Sequence, residues 1–221
     1  MTEHNFEQMR RAMVASQLRT TGVNDPRVLA AMGAVPRERF VPADKAGIAY
    51  SDTLVPLGNG RDLNSPMSLG RLLAEASPRP GERAMVVGAA TGYAAAVLAR
   101  LVGSVVAVEE DPELLEVAHG AISAAAPDTA NVKLVEGPLT EGYAAGAPYD
   151  FILIDGAVEY VPDAIVGQLV DGGRLAAAIL DHGVSSLAIG RRAGDGFGMA
   201  QMSDWAAAVL PGFCKPRAFS F

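Results

Sequence analysis

Residues 84–93 read Ala-Met-Val-Val-Gly-Ala-Ala-Thr-Gly-Tyr. Four apolar residues without polar alternation suit a strand covered on both faces, and the small residues that follow let the chain turn sharply into a helix. The same alternation of short apolar runs and helical stretches repeats downstream. Strands are expected at 84–88, 104–108, 132–136, 151–155 and 174–179, with helices at 92–101, 112–124 and 161–170. Buried strands joined by helices predict an α/β fold with an open, doubly wound, mostly parallel sheet.

Upstream, Phe6, Met9, Met13 and Leu18 lie at near-helical spacing over 5–18. Asp25-Pro26 reads as an N-cap followed by proline in the first helical turn. Residues 35–62 carry Pro36, Pro42, Pro56 and a Gly58-Asn59-Gly60 turn, a composition that predicts loop. Residues 66–76 read as a helix with Ser65 as its cap and Pro78 beyond its end. Downstream, the glycine-rich stretch 190–198 predicts the turn of a hairpin between 184–189 and 199–202, and 205–210 fits a strand or a short helix. Neither a repeat nor a linker divides the chain, so 1–221 reads as one domain, with a helical and loop part at 1–79 and the sheet at 80–221.

The 221 residues are 50% hydrophobic and 19% charged, which excludes a disordered chain. Eighteen basic against 25 acidic side chains give −7, which argues against a non-specific grip on nucleic acid or an anionic membrane. The single cysteine, Cys214, makes no internal disulfide, and with only His4, His119 and His182 beside it no metal site is expected. The first residues lack an apolar leader pattern, and charges or glycines break every apolar stretch before 18 residues. The expectation is a cytoplasmic protein.

In an open α/β sheet the ligand lies beyond the carboxyl ends of the strands. Here that place is the loop Gly88, Ala89, Ala90, Thr91 and Gly92, which either admits a ligand close to the backbone or merely permits a tight turn. Glu109 ends the next strand, 21 positions after Gly88, where a carboxylate can accept hydrogen bonds from both ribose hydroxyls of an adenosine. Glu110 and Asp111 follow, so a solvated acidic turn with Asp111 capping the next helix is the alternative. Gly137, Pro138 and Leu139 after the third strand and Asp155 at the end of the fourth lie on the same sheet edge. No lysine follows the loop, which disfavours triphosphate hydrolysis.

The chain resembles the protein-L-isoaspartate O-methyltransferases over nearly its whole length. The likeness is carried by residues 14–23 (VASQLRTTGV), 35–42 (VPRERFVP), Ala49-Tyr50-Ser51-Asp52, Leu57-Gly58-Asn59-Gly60, the 88–93 loop, Pro148-Tyr149-Asp150 and 168–175 (QLVDGGRL). It implies a seven-stranded S-adenosylmethionine-dependent methyltransferase fold with an N-terminal cap over the cofactor. It also implies a peptide or protein acceptor with isoaspartyl residues, whose carboxylate is methylated for repair through a succinimide. Residues 88–92, Glu109, Glu110, 137–139 and Asp155 are then the cofactor contacts, and Asp62, Asn64 and Ser65 surround the reacting carboxylate.

The chain also departs from the family pattern. Where members read Gly-Gln-Thr-Ile-Ser-Gln-Pro, it has Gly60-Arg61-Asp62-Leu63-Asn64-Ser65-Pro66, which puts Asn64 at the reaction-centre serine. An acidic residue before the loop is Val86, the middle glycine of the loop is Ala90, and the aspartate after Gly137 is Pro138. If Ala90 takes a positive φ, the cost is on the order of 1 kcal/mol. Val86, Ala90, Asn64 and Pro138 are expected to face one pocket. The alternative to an active methyltransferase is a degenerate relative kept as a binding or scaffolding module; a nicotinamide or nucleotide-sugar enzyme has only the loop and Glu109 in its favour.

Overall fold

A computed structural model of the chain describes residues 3–125 and 129–215. Two short strands, β1 (Val55–Gly58) and β2 (Arg61–Leu63), form an antiparallel ribbon of their own. The main sheet is built from β3 (Arg83–Val87), β4 (Ser104–Glu109), β5 (Val132–Glu136), β6 (Tyr149–Val158), β7 (Leu169–Asp181), β8 (Val184–Ala193) and β9 (Gly196–Asp204). Its order is β5-β4-β3-β6-β7-β8-β9, parallel through β7 and antiparallel across the last two pairings. The chain winds outward from β3 to β5 on one side and from β6 onward on the other. The crevice therefore opens between β3 and β6, where the winding reverses.

Strand alternation sends neighbouring residues to opposite layers. Met85 and Val87 of β3 join Ile152 and Ile154 of β6 in one core cluster, while Val86, Phe151 and Leu153 join the other. The second layer also takes Met13, Leu18, Val28, Met32 and Leu73 from the N-terminal helices α1 (Glu3–Ala12), continued by a π-helical turn (Met13–Leu18), α2 (Pro26–Ala34) and α3 (Pro66–Ala76). The N-terminal segment is thus packed into the sheet's own core. Asp25 accepts from the Arg27 amide at 2.8 Å and Ser65 from the Ser68 amide at 3.3 Å, so both expected caps form.

Several boundaries differ from expectation for local reasons. The expected helix 92–101 is the short α4 (Tyr93–Leu98), because the amides of Arg100 and Leu101 bond three residues back, at 3.2 and 2.8 Å, and tighten the last turn. The expected helix 161–170 shrinks to α6 (Asp163–Val166), since Leu169 pairs with Tyr149 in the sheet and Gln168 bridges Glu141, Ala164 and Tyr143. Pairing overrides the helical pattern there. Residues 190–198 are mostly strand: the missing side chain of Gly190 leaves room for the Phe197 ring, and the chain reverses at 194–195. The expected loop 35–62 holds two short 3-10 helices (Arg37–Phe40 and Ala43–Ile48) and the β1–β2 ribbon. Residues 205–210 are neither strand nor helix, and Val209 makes a single parallel bridge to Ala157.

Candidate active site

The loop after β3 is held by the neighbouring strand, since the amides of Gly88 and Ala89 both donate to the Val108 carbonyl at 3.0 Å. Gly88, Ala90 and Gly92 have φ of +79, +48 and +91. A Cβ at Gly92 would stand 2.9 Å from Ile122 of α5 (Pro112–Ala125), so close packing explains that glycine without a ligand. Ala90 takes the left-handed conformation its sequence position anticipated, at a strain of about 1–2 kcal/mol. Its amide points at Glu109 and donates to Oε2 at 2.6 Å.

Glu109 is the electrostatic centre of the crevice. It is wholly buried, at the end of β4. Its carboxylate also accepts from the amides of Glu110 and Asp111, at 3.0 and 3.1 Å, and both oxygens meet Arg61 of β2, at 2.6 and 3.1 Å. Arg61 is only 6% exposed, so the two-pronged pair lies out of water. The charge of Arg61 is thus given to Glu109.

A second polar cluster lies across the crevice. Asn64 donates from Nδ2 to the Asp155 carbonyl at 3.0 Å and to Asp155 Oδ1 at 2.9 Å. Beneath it, the buried Arg37 donates to the Ala49 carbonyl at 2.6 Å and to the Asn64 carbonyl, with its guanidinium 4.7 Å from the Tyr93 ring centre. Burial holds the Asp155 carboxyl above the ordinary carboxylate range, and the Asn64 hydrogen bond and Arg37 charge only partly oppose it. Arg37 stands in the block 35–42 at the head of the charged run Arg37-Glu38-Arg39, and nothing in that run marks its first arginine as the wholly buried one.

Residues 205–213 run over this cluster as a strap. The Ala208 amide donates to Asn64 Oδ1 at 2.8 Å, the Ala157 amide to the Ala208 carbonyl at 2.6 Å, and the Leu210 amide to the Ala157 carbonyl at 3.0 Å. Leu210 is 2% exposed and lies against the two crevice glycines. A Cβ at Gly88 would be 2.9 Å from Leu210 Cδ2, and one at Gly156 would be 2.5 Å from Leu210 Cγ. An apolar residue in a stretch of undecided structure carried no sequence signal for this position.

The other expected residues divide. Gly88, Ala89, Ala90, Glu109, Asn64 and Asp155 come together at the crevice. Gly137 lies at its edge, donating to the Glu109 carbonyl at 3.0 Å. Val86 and Leu139 belong to opposite core clusters and Pro138 is exposed, so the expectation that Val86, Ala90, Asn64 and Pro138 share one pocket is corrected. Thr91 is buried and donates to the Phe40 carbonyl at 2.6 Å, tying the loop to the N-terminal segment. Ser65 is spent on α3: it caps the helix, contacts Ser68 Oγ and accepts from Trp205 Nε1 at 3.3 Å. Asp62 lies between two buried residues of β2, so alternation turns it away from the side of Arg61 and Leu63. Glu110 is exposed, and Asp111 caps α5 through the Glu113 amide at 2.9 Å.

Residues 9–204 match the family model described as Protein-L-isoaspartate(D-aspartate) O-methyltransferase. A protein-L-isoaspartate O-methyltransferase 1 of Rhodopseudomonas palustris is 39% identical over 77% of this chain and 69% of its own length. One from Methanoregula boonei is 37% identical over 84% of each. A solved protein-L-isoaspartate O-methyltransferase superposes with a TM-score of 0.79 at 23% identity, covering 94% of this chain and 66% of its own. A Plasmodium falciparum structure so described, in complex with S-adenosyl-L-homocysteine, gives 0.76 at 20% identity, covering 91% and 97%. At these identities the two structures establish the shared fold. The strap lies beyond the stretch the family model matches.

Proposed function

The chain belongs to the protein-L-isoaspartate(D-aspartate) O-methyltransferase family, and from that membership we propose that it methylates isoaspartyl carboxylates in proteins with S-adenosylmethionine as donor. The observation that carries the reading is the placement of Glu109. It ends β4 beside the glycine loop at the point where the winding reverses, with two acceptor oxygens for a ribose. No described helix is long and apolar enough to cross a membrane.

The donor set suits an adenosyl ligand, with Glu109 for its ribose and Gly88 for close backbone approach. The conformation does not, because Arg61 and Leu210 stand against those same two groups. When bound, the cofactor supplies a methyl group on a sulfonium, so an already ionised carboxylate needs alignment rather than a base. Asn64 occupies the family's reaction-centre position in the crevice. Its amide is fixed by Asp155, whose carboxyl burial holds above the ordinary carboxylate range.

The test is transfer of labelled methyl groups from S-adenosylmethionine to two peptides identical except for an isoaspartyl or an aspartyl linkage. Base-labile label on the isoaspartyl peptide alone is expected. Label on neither, or equally on both, would overturn the assignment.

A further inference from the structure

The crevice that the sequence reserves for a ligand is filled from two directions by the chain itself. From β2, Arg61 takes both oxygens of Glu109, the atoms a ribose would need. From the strap, Leu210 presses on Gly88 and Gly156, the two positions where the lack of a side chain brings the backbone within reach of a ligand. The Arg61 guanidinium is also near the loop, 3.5 Å from where a Cβ of Gly88 would be. A ligand stretching from Glu109 past Gly88 meets both side chains.

The strap is fastened in a way that could release as a unit. Its bonds to the crevice run through Asn64 Oδ1 and the backbone of Ala157, at 2.6 to 3.0 Å. At its start, Trp205 exchanges bonds with Ser185, the amide donating at 2.9 Å and the carbonyl accepting at 2.6 Å. At its far end the Glu159 amide donates to the Phe213 carbonyl at 3.2 Å. Between these anchors the described backbone forms no regular ladder, only the isolated bridge at Val209. Leu210 and Phe213 are also buried in the core, so opening costs their burial besides these bonds, but it breaks no regular sheet ladder.

We infer that residues 205–213 and Arg61 form a self-occupying gate on the cofactor crevice, with Leu210 as its plug, Asn64 as its latch, and the Arg61–Glu109 pair as a second closure. The cofactor enters only when Leu210 leaves Gly88 and Arg61 yields Glu109. Closed and open states then compete, and the apparent affinity is the intrinsic one reduced by the fraction of open molecules. Asn64 stands where the family pattern has serine. Its longer amide reaches Asp155 and the strap at once, which gives that departure a role in the gate.

The inference depends on the crevice being the cofactor site, and the experiment separates the two. S-adenosylhomocysteine is titrated into the full chain and into Leu210→Ala and Arg61→Gln, and amide exchange of the full chain is followed with and without saturating ligand. Each variant is expected to bind at least tenfold more tightly, and exchange at Ala208 and Leu210 to speed up when the ligand binds. If the wild-type chain binds, the variants bind no better and exchange at those amides is unchanged or slower, the gate is refuted while the methyltransferase reading stands. If neither the wild type nor either variant binds, the cofactor reading itself falls, and the gate with it. Should a variant fail to fold, the exchange measurement on the wild-type chain decides alone.

Discussion

Replacing Arg61 by alanine exposes the energetics of the crevice most sharply. The guanidinium and the Glu109 carboxylate are 6% and 0% exposed and joined by two bonds of 2.6 and 3.1 Å. Removing one partner of a buried pair costs about 3–5 kcal/mol, because the other charge is left without compensation. Glu109 keeps three backbone donors, from Ala90 at 2.6 Å, Glu110 at 3.0 Å and Asp111 at 3.1 Å, which continue to stabilise its charge. The loss should therefore fall near the lower bound, about 3 kcal/mol, or roughly 6–12 °C in Tm for a chain of this size. Urea denaturation of the wild type, Arg61→Ala, Glu109→Gln and the double variant gives the coupling directly. The double variant should be less damaged than the two single losses added together. A loss below about 0.5 kcal/mol for Arg61→Ala, the level of an exposed pair, would show that the pair is not closed in solution.

Two further predictions follow from the same residues. Ala90→Gly relieves a left-handed alanine costing about 1–2 kcal/mol but gives back part of the gain to the freer unfolded chain. A net stabilisation of about 0.5–1 kcal/mol is expected by chemical denaturation, and a loss would mean that the alanine methyl is packed to advantage. Asp155 is held above the ordinary carboxylate range by burial, so the folded chain binds its proton more tightly than the unfolded chain does. Its contribution to stability is greatest below the unfolded value and declines as pH rises through the folded one. Asp155→Asn keeps an acceptor for Asn64 and lacks that titration, so denaturation midpoints across this interval should shift in the variant's favour as pH rises; a constant difference would refute the cause.

The parallel part of the sheet was legible because Val86-Val87, Val105 to Val108 and Phe151 to Ile154 are apolar on both faces, which only a covered strand tolerates. The caps at Asp25 and Ser65 were legible because each is a short polar side chain directly before a proline that opens a helix. What escaped was long-range. That Arg61 spans 48 positions to Glu109, or that Leu210 returns to a glycine at position 88, depends on three-dimensional approach and leaves no periodic trace. Ser65 shows the limit from the other side. Its neighbourhood in the sequence suggested chemistry, and its bond to the Ser68 amide gives it a helix end instead. At Val86 a resemblance aligns positions and not side-chain directions, and strand alternation sends the side chain to the core.

The most direct test of the whole account is a crystal structure of the full chain with S-adenosylhomocysteine. The ligand's ribose is expected on Glu109, with Arg61 withdrawn from that carboxylate and Leu210 lifted from Gly88 as the strap is freed from Asn64. A ligand bound while the Arg61–Glu109 pair and Leu210 keep their present positions would contradict it.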